Sequence, residues 1–187
     1  DTQSFAMDII LRTINDQEFQ CRHKRAKTDF VRNRKFGFVT IVGMLLRMIK
    51  NSLQIDCNFL GDLMNDVPGT KQAFSKARMK ISASAFQELH KVALQAHYTK
   101  APNEGFWRGY RVIGCDGSTI RLPRSDELER VFGLYPGKDE AIKYPVMARI
   151  SEFTDMATKL VLSGWVGPYQ ISEEVVAAQQ LNEVVST

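Results

Sequence analysis

Residues 109–123, GYRVIGCDGSTIRLP, place one acidic residue inside a run of apolar strand formers. The run predicts a strand, and Asp116 followed by Gly117 interrupts it. Asp-Gly is a favoured hairpin turn, so one interpretation is a turn after which residues 120–123 return as a partner strand. The other is a carboxylate held rigidly on a strand that continues past this point. The two interpretations assign Asp116 different chemistry.

Charge divides the chain into two parts. Of its 187 residues, 44% are hydrophobic and 25% are charged, an ordinary globular balance with length for one large or two small domains. Residues 1–100 carry 16 Lys/Arg and 9 Asp/Glu, whereas residues 101–187 carry 9 and 12. We therefore predict a basic helical domain at residues 1–100 and a second domain at 105–187. The junction is expected near residues 98–105, where Pro, Asn and Gly interrupt the periodic patterns.

Composition also restricts the compartment and the partners. No apolar run reaches the roughly 18 residues of a membrane span, and the start of the chain does not resemble a signal peptide. The three cysteines are far apart and form no C-x-x-C pair, which favours a reducing compartment. His90 and His97 share a helix face but have no third ligand for a metal site. We therefore expect a cytoplasmic protein with no membrane partner.

Two segments of the first half concentrate positive charge. Residues 22–35 carry seven Lys/Arg and one Asp, and Phe30, Phe36 and Phe38 lie within or just after them, which suits a phosphate backbone with rings for anchoring or stacking. The alternative is a solvated loop whose rings pack inward. Residues 71–80 form a basic helix after a shorter helix and a Pro-Gly turn, an order similar to a helix-turn-helix. The candidate DNA contacts are Arg22, Lys24, Arg25, Lys27, Arg32, Arg34, Lys35, Lys71, Lys76, Arg78 and Lys80.

The remaining periodicity predicts the fold class. The pattern of the first half predicts helices, including a central apolar helix at 38–52. Thr70 is a predicted N-cap, and Ser84 with Gln87 is a predicted capping box. The second half reads as strands followed by a helix that Ser172 caps. We predict an α+β or α/β protein: an N-terminal all-helical bundle followed by the first strands and helix of a ribonuclease-H-like mixed sheet, incomplete at residue 187.

Two further interpretations of the acidic region fail on spacing. A phosphate-binding loop at residues 133–139 has three residues between its glycines and Asp139 after the lysine, where four residues and Ser or Thr are required. A phosphatase of the haloacid dehalogenase type needs a nucleophilic carboxylate where Gly114 stands. A hairpin turn and a metal carboxylate remain. A strand-borne carboxylate suits a site that holds two divalent ions roughly 3.5–4 Å apart.

Three blocks of the second half resemble one family. DGSTIRLP (116–123), YPVMARI (144–150) and GPYQISEE (167–174) look like core blocks of bacterial insertion-sequence transposases of the DDE type, in the group founded on insertion sequence four. In the first half, residues 30–48 and 74–89 are similar to that family's basic-aromatic lead-in and Ser-x-Ala-Arg helix. The resemblance covers most of residues 28–183.

The resemblance implies a function for Asp116. It would be the first of three catalytic carboxylates and a ligand of two Mg²⁺ or Mn²⁺ ions, which serve phosphodiester hydrolysis and strand transfer in DNA transposition. The family's second Asp and its Glu lie beyond the helix at 172–185, so residues 1–187 alone are predicted to be inactive. Glu152 and Asp155, which are expected at a strand end or turn, are not taken as substitutes. Glu173 and Glu174 are explained by the helix dipole and are not taken as substitutes either. The implied partners are double-stranded DNA, at element ends and target, and a second copy in a homodimer on DNA, near the bacterial nucleoid.

Two alternatives stay open at this stage. A truncated transposase that binds DNA without catalysis would act as a DNA-binding regulator of its full-length relative. It would retain the basic face and would not need Asp116. The second alternative is a small helical module that binds protein, which predicts no DNA binding at low salt.

Overall fold

The computed structural model describes residues 2–32, 34–47, 51–135 and 144–185. These residues form eight helices and a three-stranded antiparallel sheet, so the mixed α+β class is confirmed. The chain divides into two compact units, Asp1–Pro102 and Asn103–Thr187. In the described part of the chain, no helix combines the length and the apolar character that crossing a membrane requires.

The first unit is built from helices. They are α1 (Thr2–Asn15), α2 (Gln17–His23), α3 (Phe38–Arg47), α4 (Leu53–Leu63), α5 (Lys71–Arg78) and α6 (Ser84–Lys100). α1 packs along α6. Ile41 and Val42 of α3 are fully buried, and Phe19 of α2 and Phe74 of α5 pack into the same core. The central role predicted for the apolar helix is confirmed, and residues 48–50 of that prediction lie outside the described residues.

Two predicted helix caps have different outcomes. Thr70 caps α5 as predicted, because the Ala73 N–H donates to its Oγ1 at 3.2 Å. The capping box of Ser84 and Gln87 is wrong. α6 begins at Ser84 itself, and its N-cap makes no side-chain hydrogen bond. Ser84 Oγ instead donates to Ser82 Oγ at 2.7 Å and lies 2.9 Å from Nδ1 of His23, so it has partners outside the predicted box.

The second unit is a sheet with two helices. Its elements are β1 (Ile113–Leu122), α7 (Asp126–Phe132), β2 (Val146–Asp155), β3 (Val161–Pro168) and α8 (Glu173–Val185). The strands lie in the order β1-β2-β3, each antiparallel to its neighbour. The mixed sheet that the sequence predicted is therefore purely antiparallel over the described residues. The hairpin turn at Asp116-Gly117 is also wrong, because both residues lie within β1 and pair with β2.

Helix α8 covers one face of this sheet. Its Val176, Gln180 and Val184 are buried. The Gln180 side-chain amide donates to Ser163 Oγ on β3 at 3.0 Å. Side chains directly opposite in neighbouring strands share a face, and Ser163 is aligned through β2 with Cys115. Cys115 therefore lies on the helix side of β1, and Asp116, the next residue, lies on the other side.

Candidate functional site

The basic loop, residues 24–36, begins against the end of α5. The Arg25 N–H donates to the Lys80 carbonyl at 2.9 Å, and the Ser82 N–H donates to the His23 carbonyl at 2.9 Å. Lys24 and Ile81 form an antiparallel bridge between these bonds. This short ladder brings the first predicted basic segment beside the second.

The far end of the basic loop is attached to the turn before α5. Lys35 Nζ lies 3.1 Å from an Asp66 carboxylate oxygen and also donates to the Val67 carbonyl. The Phe36 ring packs edge-on against Phe74 at 5.6 Å between centroids. A Cβ on Gly69 would lie 2.2 Å from the Phe36 ring, so only glycine leaves room for that ring. The loop is thus fixed near both ends of α5.

A groove of about 710 Å³ lies between the loop and α5. We call it the basic groove. Among the described residues its lining includes five cations and one carboxylate: Arg32, Arg34, Lys35, Lys76, Lys80 and Asp29. Phe30 also lines the groove and has φ of 58°, a strained conformation for a bulky residue. Such strain is often found at functional sites.

The aromatic rings of this region are structural. Phe36 and Phe38 are buried, and Phe30 is partly buried and packs edge-on against Phe38 at 5.6 Å between centroids. The inward-packing alternative therefore describes these rings, and they anchor the loop to the core.

Internal ion pairs divide the candidate DNA contacts into two groups. Lys35 is paired with Asp66, and Lys80 Nζ lies 3.2 Å from an Asp29 carboxylate oxygen. The hydrogen bond from Lys35 lowers the pKa of Asp66. Arg22 is paired with Glu88 and Glu18. Over the described ranges no ion pair is found for the other candidates, which are Lys24, Arg25, Lys27, Arg32, Arg34, Lys71, Lys76 and Arg78.

A buried histidine supports the start of the basic loop, and sequence analysis did not identify it as a functional residue. His23 is 5% exposed, and its Nε2 lies 2.8 Å from a Glu88 oxygen. Arg22 donates to the other Glu88 oxygen at 2.6 Å. The hydrogen bond with His23, followed by that with Arg22, lowers the pKa of Glu88. The only sequence signal was the spacing of Glu88 and Ser84 on one helix face, which did not reveal their partner on α2.

The likeness to a helix-turn-helix is limited to the order of its elements. α4 and α5 are in contact. Residues 64–70 connect them, whereas the motif uses a turn of about 3–4 residues. The basic loop beside α5, and not α4, forms the other wall of the groove.

Asp116 lies at the middle of an edge strand of the described sheet. It is exposed and pairs directly with Glu152 on β2, which in turn pairs with Gly164 on β3. Asp116 Oδ1 accepts a hydrogen bond from the Gly117 N–H at 2.9 Å. The structure thus brings two exposed carboxylates together on the face opposite α8. The position expected for Glu152, at a strand end or turn, is wrong.

The other acidic candidates have structural partners. Asp155 is 1% exposed, and its carboxylate accepts hydrogen bonds from the Ala157 and Thr158 N–H groups at 2.9 and 3.2 Å, which closes the β2–β3 turn. Glu173 is paired with Arg149 on β2. Both carboxylates therefore make structural contacts within the second unit.

The donor set around Asp116 fits a magnesium ion in part. Within the described ranges, no three or more His, Cys, Asp or Glu residues are grouped in a way that could hold a metal ion. Mg²⁺ is commonly bound through one or two carboxylates, with waters and substrate phosphates completing its shell. Asp116 and Glu152 supply two carboxylates of this kind on an exposed face.

Comparison of the chain with protein-family models, with curated proteins and with solved structures finds no match.

Proposed function

We propose that this chain is the N-terminal part of a DDE-type DNA transposase and that the basic groove holds the DNA backbone. The observation that carries the proposal is the convergence of two basic segments, separated by more than thirty residues in the sequence, on one groove. Three of its cations, Arg32, Arg34 and Lys76, have no ion pair within the described part of the chain. Such cations are available to replace the counterions of a phosphate backbone.

The second unit would open a ribonuclease-H-like catalytic domain. Its three antiparallel strands followed by a helix agree with the expected beginning of that fold. Asp116 on β1, with Glu152 beside it, would hold Mg²⁺ or Mn²⁺. Two such ions, when bound, activate the attacking oxygen and stabilise the leaving oxygen of phosphodiester cleavage. The contribution of Asp116 is a carboxylate whose position is fixed by the strand. The partners would be element ends and target DNA, bound by a homodimer.

The salt dependence of DNA binding tests the groove. Each phosphate contact contributes about −0.9 to the slope of log K against log salt. Three contacts therefore account for a slope of about −2.7, or roughly 40-fold in affinity between about 50 and 200 mM salt. The triple variant Arg32→Ala/Arg34→Ala/Lys76→Ala should lose this part of the slope in a fluorescence anisotropy titration with duplex DNA.

A matched control separates the groove from net charge. Arg12→Ala/Lys91→Ala/Lys100→Ala removes the same number of charges at positions that do not line the groove. We expect this control to retain most of the wild-type slope. Equal losses in the two triple variants would show that the groove has no special role.

The DNA-binding regulator remains the second candidate, because the groove serves it equally well. Asp116 distinguishes the two. In a transposase, Asp116→Ala should abolish Mg²⁺-dependent strand cleavage by the active assembly while duplex affinity is unchanged. In a regulator, inhibition of transposition should be the same in Asp116→Ala and in the wild type. Robust Mg²⁺-dependent nicking by residues 1–187 alone, lost in Asp116→Asn, would contradict the predicted inactivity of this chain.

A further inference from the structure

A short aromatic hairpin, residues 105–112, precedes the sheet of the second unit. Trp107 is 60% exposed and Tyr110 is 74% exposed. Large aromatic side chains are mostly buried in folded proteins, and their exposure in a cluster marks a binding surface. Neither ring belongs to the basic groove or lies beside Asp116 in the sheet pairing.

The hairpin is held in a defined conformation. The Trp107 N–H donates to the Tyr110 carbonyl at 2.8 Å, and the Tyr110 N–H donates to the Trp107 carbonyl at 2.9 Å. Arg108 and Gly109 between them have φ of 51° and 85°, as a two-residue turn of type I′ requires. A Cβ on Gly105 would lie 2.4 Å from the Ala157 Cβ, so the hairpin rests on the turn after β2. A surface ordered in advance has a lower entropic cost of binding.

An apolar cleft of about 590 Å³ opens beside Trp107. Its lining includes Phe106 and Trp107 of the hairpin, with Val112 and Met156. No charged side chain appears in this lining among the residues that the structure describes. Such a cleft suits a flat apolar group and offers little hydrogen bonding that could select its identity.

Cations lie on the rings of the same hairpin. The Arg108 guanidinium carbon lies 4.9 Å from the Trp107 ring centroid, and that of Arg111 lies 5.5 Å from the Phe106 ring centroid. Residues 105–112 contain these two arginines and no acidic residue. Arg111 Nε is 3.7 Å from an Asp155 carboxylate oxygen. For Arg108 no such pair is found over the described ranges, so its charge is available to an anionic ligand.

We infer that the aromatic hairpin binds an unpaired nucleotide of DNA, with the base stacked on Trp107 and the phosphate near Arg108. Exposed aromatic rings combined with cations are the general means by which single strands are bound without sequence preference. An apolar protein segment would instead cover Arg108 without a counter-charge, which is unfavourable. The inference rests on the proposed function, because it takes DNA as the partner.

Tryptophan fluorescence tests the hairpin directly. The chain has two tryptophans, Trp107 and the partly buried Trp165. In a Trp165→Phe background, titration with single-stranded oligothymidine should quench the emission of Trp107. By anisotropy, Trp107→Ala should weaken single-strand binding by roughly 5- to 150-fold, the range found when stacking rings are removed. Trp107→Phe retains a ring and should remain close to wild type.

Duplex DNA separates this inference from the proposed function. Trp107→Ala should leave duplex binding unchanged, whereas the groove variant Arg32→Ala/Arg34→Ala/Lys76→Ala should weaken it. Single-strand affinity that is unchanged in both Trp107→Ala and Tyr110→Ala would overturn the stacking inference and leave the groove proposal intact. Trp107 quenching by an acidic peptide, with no response to oligothymidine, would also overturn it and would assign the hairpin to a protein partner. If the groove variant binds duplex DNA like the wild type while Trp107→Ala still weakens single-strand binding, that result would count against the proposed function only.

Discussion

Replacement of Glu88 by Gln should destabilise the first unit and displace the basic loop at the same time. The Glu88 carboxylate has two partners on α2, the buried His23 at 2.8 Å and Arg22 at 2.6 Å. The His23 carbonyl is also the acceptor that joins this point to Ser82, where the loop meets the end of α5. A single substitution therefore acts on stability and on the position of the loop.

The expected loss of stability is about 2 kcal/mol. Hydrogen bonds to charged groups contribute about 1.5–3 kcal/mol, and leaving a buried partner unsatisfied adds to the loss. The pair with Arg22 contributes less than about 1 kcal/mol, because the Arg22 side chain is 47% exposed. Glutamine retains one acceptor oxygen, so the loss falls short of the sum.

The effect should depend on pH in a defined direction. The bond with His23 lowers the pKa of Glu88 in the folded protein. A carboxylate whose pKa is depressed stabilises the fold above its unfolded pKa, and this contribution is lost as pH falls through the folded value. The difference between wild type and Glu88→Gln should be full near neutral pH and should decrease below about pH 4.

Urea denaturation followed by far-ultraviolet circular dichroism measures this difference, since both tryptophans lie outside the first unit. Glu18→Gln is the matched control: Glu18 also pairs with Arg22, at 3.4 Å, but is 82% exposed. It should change stability by less than about 0.5 kcal/mol. Equal effects of the two substitutions, or a difference independent of pH, would refute the reasoning. In the folded protein Glu88→Gln should weaken duplex binding, whereas removal of a negative charge alone would strengthen it.

Two further predictions concern the second unit. Asp116→Asn should raise the free energy of unfolding by about 0.2–1 kcal/mol, because like charges directly opposite in a sheet repel one another. Denaturant titration in the presence of a chelator measures this gain. No gain would show that Asp116 and Glu152 do not interact. Asp155→Ala should lower stability by about 3 kcal/mol, since it removes a buried carboxylate with Arg111 beside it. Asp155→Asn, which retains an acceptor for the turn, should lose less than Asp155→Ala, and the reverse order would contradict the assigned role.

Much of the fold was predictable from local patterns. The helical first half, the strands of the second half and the helix that Ser172 caps follow from periodicity over a few residues. The cap at Thr70 was also predictable, because its partner is three residues away. The failures share a cause. Ser84 is bonded to His23 of α2 as well as to Ser82, and pairing with β2 keeps Asp116-Gly117 in a strand, so contacts outside the local pattern decided both positions.

The candidate site also combines features that local sequence predicted with features that depend on distant contacts. The sequence alone determined that positive charge is concentrated in two segments and that one acidic residue lies among strand formers. Folding was needed to show that the two segments line one groove, that Lys35 and Lys80 are paired with carboxylates, and that Glu152 lies opposite Asp116. The difference lies in the distance along the chain over which each interaction acts. Propensity, capping and periodicity depend on neighbours within about one or two turns of chain, whereas register, ion pairing and the shape of a groove depend on residues that only folding brings together.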